Sequence, residues 1–331
     1  MTPADLHASL RLPIVVAPMF LISDPELVIA SCRAGLVGTF PANNARTLED
    51  LEAWFVQIEA VLAEAKFHGA SPKVGPYGVN IVMRGAGTQR YEATLDLVRR
   101  FKPPIVITSV GSPGEMVALV HAYGGLVFHD VANVRHARKA AEAGVDGLIV
   151  LGAGAGGHTG SANPFALVPQ IRRFWHGAIL LAGAIGDGRS VRAAEVLGAD
   201  FAYMGTRFIA TREAAASDAY KQLLVSQQTV DVVTTDRISG LSATFMRGSI
   251  TARGLDPDAL PPTLGLFQPG LPEHLKAWRD IWSAGHGVGL IDDVPPLAEL
   301  VDRLEAEYRA ACDPSGSRST AARCGVLEPS L

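Results

Sequence analysis

The chain is poor in cysteine, in aromatic residues and in charge excess of either sign. Only three cysteines occur among 331 residues, and Cys32, Cys312 and Cys324 match neither a dense disulfide framework nor a metal-ligand spacing. That usage fits a reducing compartment, so the expected location is the cytoplasm. The formal net charge is −4, which leaves no broad basic field to draw the chain onto nucleic acid or an acidic membrane. No apolar run approaches the roughly 20 residues that span a bilayer, and the first residues lack the basic-then-apolar pattern of a secretory leader. No His/Asp/Glu cluster has metal-ligand spacing, and no Ser-His-Asp arrangement is visible. Nucleic acid, membrane and a resident metal are accordingly not expected as partners.

What is present is apolar and glycine-rich. Hydrophobic residues make up 48% of the chain and charged residues 19%. That is enough for one large core, or for a barrel of about 250 residues with an accessory segment. Short apolar or β-branched runs fall at Ile14–Ala17, Leu36–Phe40, Gly78–Ile81, Ile105–Thr108, Gly125–His129, Gly147–Leu151, Ile179–Ala182 and Phe201–Met204. Several are almost wholly apolar, as strands buried on both faces are. Helical patterns such as Val134–Ala143 and Ser190–Leu197 lie between them.

Eight strands alternating with helices predict an α/β fold, a closed (β/α)₈ TIM barrel; a doubly wound open sheet is the rival. Ala143-Gly-Val-Asp-Gly and Leu197-Gly-Ala-Asp-Phe each end a helix on glycine, which tolerates the left-handed cap, and so mark the lower rim. The barrel core is expected over residues 1–212. Beyond it, Glu213–Ser226, Leu275–Ser283 and Pro296–Ala311 read as helical, whereas Thr229–Gly270 has little periodicity. Residues 213–312 therefore read as an appended, mostly helical lid segment, and 313–331 as a flexible tail.

In such barrels the working residues sit where strands end. Ala17-Pro18-Met19 follows the first strand, where proline stops the ladder and fixes the backbone for a planar ligand. Asn80 closes the third strand with donor and acceptor groups suited to a heterocycle edge. A plain strand terminus and a turn asparagine are the blander alternatives. The sixth strand runs into Leu151-Gly-Ala-Gly-Ala-Gly-Gly-His158-Thr-Gly160, with five glycines in ten residues. A histidine that only filled a core needs no such backbone freedom, and one titrating near neutrality suits proton abstraction. His158 is therefore the expected catalytic base.

Small residues follow the seventh and eighth strands, at Ala182-Gly183-Ala184 and Gly205-Thr206. That is where this fold grips phosphate, through backbone N–H groups at helix starts. Arg207 reads equally as a phosphate partner or as a rim ion pair. His129 and Asp130 end the fifth strand and face the same mouth, while His68, His121 and His136 read as surface residues. Trp175, Trp278 and Trp282 read as packing anchors.

Taken in order, Ala17-Pro18-Met19, Asn80, Ala-Gly-Gly-His158-Thr-Gly, Ala182-Gly183-Ala184 with Asp187-Gly188-Arg189, and Met204-Gly205-Thr206-Arg207-Phe208 resemble the nitronate monooxygenase (2-nitropropane dioxygenase) family. Flavin-type enoyl-acyl-carrier-protein reductases share most of the pattern. The resemblance covers roughly residues 10–310. It implies a non-covalent FMN whose phosphate lies on Gly183, Ala184, Gly205 and Thr206. The ring would meet Ala17, Pro18, Met19 and Asn80, with Gly156 and Gly157 close by, and Ala182 counts with them among the cofactor-binding residues. It further implies that His158 takes the α-proton of a nitroalkane or steers a nitronate, with O₂ as oxidant and a carbonyl compound and nitrite as products.

Two positions depart from the pattern. His286 stands in Ala284-Gly285-His286-Gly287-Val288-Gly289, where the family has glutamine. Asp130 stands where relatives of this flavin group often carry lysine. The alternatives are an NAD(P)H-dependent flavin reductase of quinones or enoyl thioesters, a flavin-free phosphate-binding isomerase or lyase, and a flavin-binding sensor. The sequence leaves room for a homodimer.

Overall fold

A computed structural model describes residues 1–69 and 73–313. Its strands, in chain order, are β1 (Ile14–Val16), β2 (Val37–Pro41), β3 (Tyr77–Val82), β4 (Ile105–Ser109), β5 (Leu126–Val131), β6 (Gly147–Leu151), β7 (Gly157–His158), β8 (Ala178–Ala182), β9 (Phe201–Met204), β10 (Val232–Thr235) and β11 (Ala243–Met246). All except β7, β10 and β11 pair in parallel and close into one barrel, β1 sealing onto β9 through Ile14–Ala202 and Val16–Met204. The eight expected strands are these eight.

Alternation along each strand sorts its side chains into two layers. Val15, Ile107, Phe128, Ile149, Leu180 and Phe201 belong to the cluster that fills the barrel. Their neighbours Val106, Val127, Leu148, Val150, Ile179 and Leu181 pack outward beneath the helices. Both faces are thus dry, which explains why the strands read as unbroken apolar runs.

The connections are set by local chemistry. Gly144 and Gly198 take φ of 83° and 108° where their helices stop, as the repeated turns require. Asn133 caps the helix Val134–Glu142, and Asp187 caps Gly188–Leu197 in a reciprocal box with Ser190.

Past residue 212 the sequence reading needs correction. The first helix there begins at Asp218, not Glu213, because the Ser217 side chain accepts from Tyr220 N–H and starts it. Leu275–Ser283 is not helical. Trp278 sits at φ 69°, its N–H donates to Ile281 C=O, and Asp280 accepts from Lys276 N–H, so the segment folds as tight turns. Thr229–Gly270 contains the antiparallel pair β10–β11, and β11 pairs in turn with β7.

The last helix, Leu297–Cys312, lies against Gly188–Leu197 on the barrel's flank. The two backbones meet at Gly188, where an added Cβ would stand 2.2 Å from Leu304 C=O. Of the expected tail, all but Asp313 lies outside the described residues. No described helix is long and apolar enough to cross a membrane.

Candidate active site

The C-terminal ends of the barrel strands open into a cavity of about 1280 Å³. Ala17, Pro18 and Met19 line it from β1, Asn80 from β3, and Gly156, Gly157 and His158 from the loop after β6. Ala182, Gly183 and Ala184 line it after β8, and Gly205 and Thr206 after β9. Every site residue expected from the sequence therefore meets in one place.

The loop bearing His158 is held by residues far along the chain. Thr244 pairs with Gly157, and Ala243 pairs with His158. Gly157 N–H donates to Ser283 Oγ at 2.8 Å, and that hydroxyl donates to Thr244 C=O at 2.6 Å. Thr244 Oγ1 in turn donates to Ala155 C=O at 2.8 Å. Trp278 sets its ring edge-on to the imidazole, with centroids 5.4 Å apart at 87°.

Among the described residues no side chain or backbone group hydrogen-bonds either imidazole nitrogen of His158, so both remain available to a ligand. The ring is open to the cavity while protein surrounds the cavity itself, and this desolvation lowers its pKa from the ordinary histidine value. Lowering favours the neutral imidazole, the form that accepts a proton.

Sequence reasoning misses Trp278, Thr244 and Ser283 as site residues. Trp278 is a packing anchor, as expected, stacking on Phe245 at 4.8 Å, but it also lines the cavity beside His158. Its irregular turn hides that second role.

On the phosphate side, two of the first three amides of helix Gly188–Leu197, where the sequence reading expects phosphate contacts, are already bonded within the protein. Gly186 and Asp187 N–H donate to Ser190 Oγ, Gly188 N–H to Glu307, and Ser190 N–H to Asp187. What remains is the loop before it, where Gly183 and Ala184 have φ of 131° and 57°. Gly156 lies so near the β9 end that a Cβ would stand 2.8 Å from Thr206 Oγ1. Close backbone approach of this kind leaves room for a ligand and little for a side chain.

Arg207 is buried and bonds Asp293 Oδ1 at 2.9 Å, so the structure gives it an ion pair. His286 packs behind the glycine loop, donating its backbone N–H to Gly154 C=O, and is not on the cavity wall. His129 is buried and its Nδ1 lies 2.8 Å from Thr108 Oγ1; burial first, then His136, lowers its pKa to about 4. His136, expected at the surface, is exposed but also borders the cavity.

Backbone strain concentrates here as well. Of the six non-glycine residues at positive φ among the described residues, Val110, Ala184, Phe267 and Trp278 line the cavity. Such outliers cost about 1–3 kcal/mol each and persist where surrounding structure holds them, often at ligand clamps.

A closed (β/α)₈ barrel with one broad cavity at its strand ends, strained backbone around it and a free imidazole on its wall defines an enzyme scaffold. The nitronate monooxygenase family pattern matches residues 5–307, and the chain belongs to that family of oxidoreductases. The nitronate monooxygenase of Paraburkholderia phytofirmans is 28% identical, the match covering 91% of this chain and 93% of the relative. The (3aS,4S,5R,7aS)-5-hydroxy-7a-methyl-1-oxo-octahydro-1H-indene-4-carboxyl-CoA dehydrogenase of Rhodococcus jostii is 25% identical, over 92% of this chain and 95% of its own. Among solved structures, the nitroalkane oxidase of Streptomyces ansochromogenes superposes with a TM-score of 0.76 at 24% identity, covering 93% of this chain and 99% of that one. FabK from Thermotoga maritima gives 0.74 at 24% identity, covering 96% and 98%. These two superpositions establish the likeness of fold.

Proposed function

We propose that the protein is an FMN-dependent nitronate monooxygenase. It would convert alkyl nitronates, and nitroalkanes by way of their nitronates, with O₂ to a carbonyl compound and nitrite. The observation that carries this reading is His158, unpartnered on the wall of a cavity whose opposite parts suit a flat ring and a phosphate.

The residues present fit FMN. Asp130 lines the cavity floor and has one carboxyl oxygen buried behind it without a partner, and the glycine clearances at Gly156 and Gly183 keep side chains out of the space. Gly183, Ala184, Gly205 and Thr206 would hold the phosphate, and Ala17, Pro18, Met19, Asn80 and Ala182 the ring. Bound FMN supplies the oxidation and passes electrons to O₂.

The protein's own residues position the substrate and move the proton. One His158 nitrogen accepts the α-proton of a neutral nitroalkane, and the imidazolium then lies beside the nitronate's negative charge. Trp278 holds the ring's plane, and the Ser283–Thr244 bonds hold its backbone. In this reading residues 1–212 carry the cofactor. The 213–312 segment supplies the substrate-side wall through Leu241, Ser242, Phe267 and Trp278.

The test compares substrates. In His158→Ala, turnover of neutral nitroalkanes falls about 100-fold or more, the scale of general-base catalysis, while preformed nitronates lose far less. Equal losses on both would remove the base assignment. For the wild type, kcat/KM on nitroalkanes declines on the acid side with a midpoint below the ordinary histidine value, since desolvation lowers His158.

A second reading, NAD(P)H-dependent reduction of quinones or enoyl thioesters, is favoured by the cavity's breadth. Its 1280 Å³, against the about 300–1,000 Å³ common for one small ligand, leaves room beside a bound FMN for a second ligand. Exposed Phe20 and Leu266 add an apolar rim. Anaerobic spectra separate the two readings: bleaching of the flavin by propyl nitronate supports the first, and rapid bleaching by NAD(P)H alone the second.

A further inference from the structure

Among the described residues, Asp130 Oδ1 stands alone as a buried side-chain polar atom with no hydrogen-bond partner. A carboxyl oxygen shut away without a partner is costly, so its orientation is informative. Leu126 and Phe128 point into the barrel from β5, and Asp130, two residues further, shares their face. It therefore ends on the cavity floor, where protein covers Oδ1 and the remainder of the residue borders the open space. Asn80 and Ser109 reach the same level from β3 and β4, joined by an Asn80 Nδ2–Ser109 Oγ bond of 3.3 Å. Three adjacent strands thus lay a polar strip across a floor completed by Ala17, Leu151, Ala182 and Tyr203. The strip is the complement of a heterocycle edge carrying N–H and C=O groups in a row, as the pyrimidine edge of a flavin does.

We propose that Asp130 is a flavin-binding residue whose carboxyl takes up a proton as the ring covers it and hydrogen-bonds the pyrimidine edge beside Asn80 and Ser109. This inference rests on the FMN reading above.

The surroundings favour that protonation. Burial already raises Asp130 to about 7. Tyr203, facing it from β9, is pushed well above its ordinary value by burial and by Asp130, and so stays neutral. His129, on its own strand, is held near 4 and carries no charge at neutral pH. The other ionisable groups on the cavity wall are Arg84 after β3, His136, Lys139 and Glu142 on helix Val134–Glu142, His158 on β7, Arg207 after β9 and Tyr220 on helix Asp218–Ser226.

Covering Asp130 with a ring withdraws it further from solvent and raises its pKa further. Affinity is then full below about 7 and falls above it, by up to about tenfold per pH unit, with proton uptake from the buffer.

The experiment titrates FMN into the flavin-stripped full chain between pH 6.5 and 8.5. It uses calorimetry in two buffers of different ionisation enthalpy, with flavin fluorescence as a second readout. Riboflavin serves as a second probe because it lacks the phosphate, whose own pKa lies near about 6. The expected result is a loss of about tenfold in wild-type affinity from pH 7.5 to 8.5, for both probes, with uptake approaching one proton.

Asp130→Asn should bind with affinity that stays flat over that range. Asp130→Leu should bind at least about tenfold more weakly at pH 6.5, as for loss of a hydrogen bond to the ring, while its melting curve shows a folded protein. Asp130→Asn following the wild-type pH curve, or folded Asp130→Leu binding as well as wild type, overturns the proposal. Wild-type binding that ignores pH sinks the Asp130 proposal and leaves the FMN reading standing. No binding of either probe at any pH sinks both.

Discussion

Arg207 and Asp293 illustrate how a residue's neighbours decide its role. In the sequence, Arg207 follows a phosphate-site motif and two roles stand level. In the fold its guanidinium is 4% exposed and bonded to Asp293 Oδ1 at 2.9 Å, with Arg303 on the other carboxylate oxygen at 2.8 Å. Arg303 first, and Arg207 after it, hold Asp293 below the usual carboxylate range. A depressed carboxylate contributes stability above its unfolded pKa and loses it as pH falls through the folded value. Removing one partner of a fully buried pair costs about 3–5 kcal/mol, and because Asp293 is itself half exposed, Asp293→Ala should cost about 1–2 kcal/mol. Thermal melts at neutral pH should show the loss, and the gap from wild type should close only below the ordinary carboxylate range. His158 is legible in the sequence because a lone imidazole in a glycine loop is unusual composition. Trp278 and Ser283 are not, since they reach the site from far downstream and no local pattern marks that contact.

At the scale of elements, the barrel is readable from the chain and the segment beyond it only in part. Strands buried on both faces announce themselves as apolar runs, and Gly144 and Gly198 announce the helix ends. A strand of two residues, Gly157–His158, has no periodicity to read. Leu275–Ser283 carries enough Leu, Ala, Lys and Trp to look helical, yet composition reports neither its turn hydrogen bonds nor the left-handed backbone of Trp278. The packing of Leu297–Cys312 is equally hidden, because it depends on Gly188 having no side chain. Gly188→Ala would place Cβ 2.2 Å from Leu304 C=O and 2.3 Å from Tyr308 N, both backbone atoms that cannot rotate away. Overpacking of this kind costs about 1–3 kcal/mol or more. Urea unfolding should give a lower midpoint for Gly188→Ala with an unchanged slope, and an unchanged midpoint would mean the helix shifts freely on the barrel.

For the whole molecule, a ligand filling the cavity should act as a brace. A cofactor at a hundred times its dissociation constant stabilises the folded chain by about 2.7 kcal/mol, so FMN at that level should raise the melting temperature by roughly 4 °C. A melting curve blind to FMN would contradict the proposed occupancy. The pairing of β7 with β11 carries a consequence for how such a protein diversifies. His158 belongs to the barrel by sequence, but Ala243 and Thr244 hold its backbone in place. On the function proposed above, a transplanted 232–285 segment would bring a new substrate wall and a new mount for His158 together. On that reading selectivity and chemistry would be inherited together, and a one-residue slip in the graft would turn the side chains of β11 to the other face and lose the pairing that holds His158.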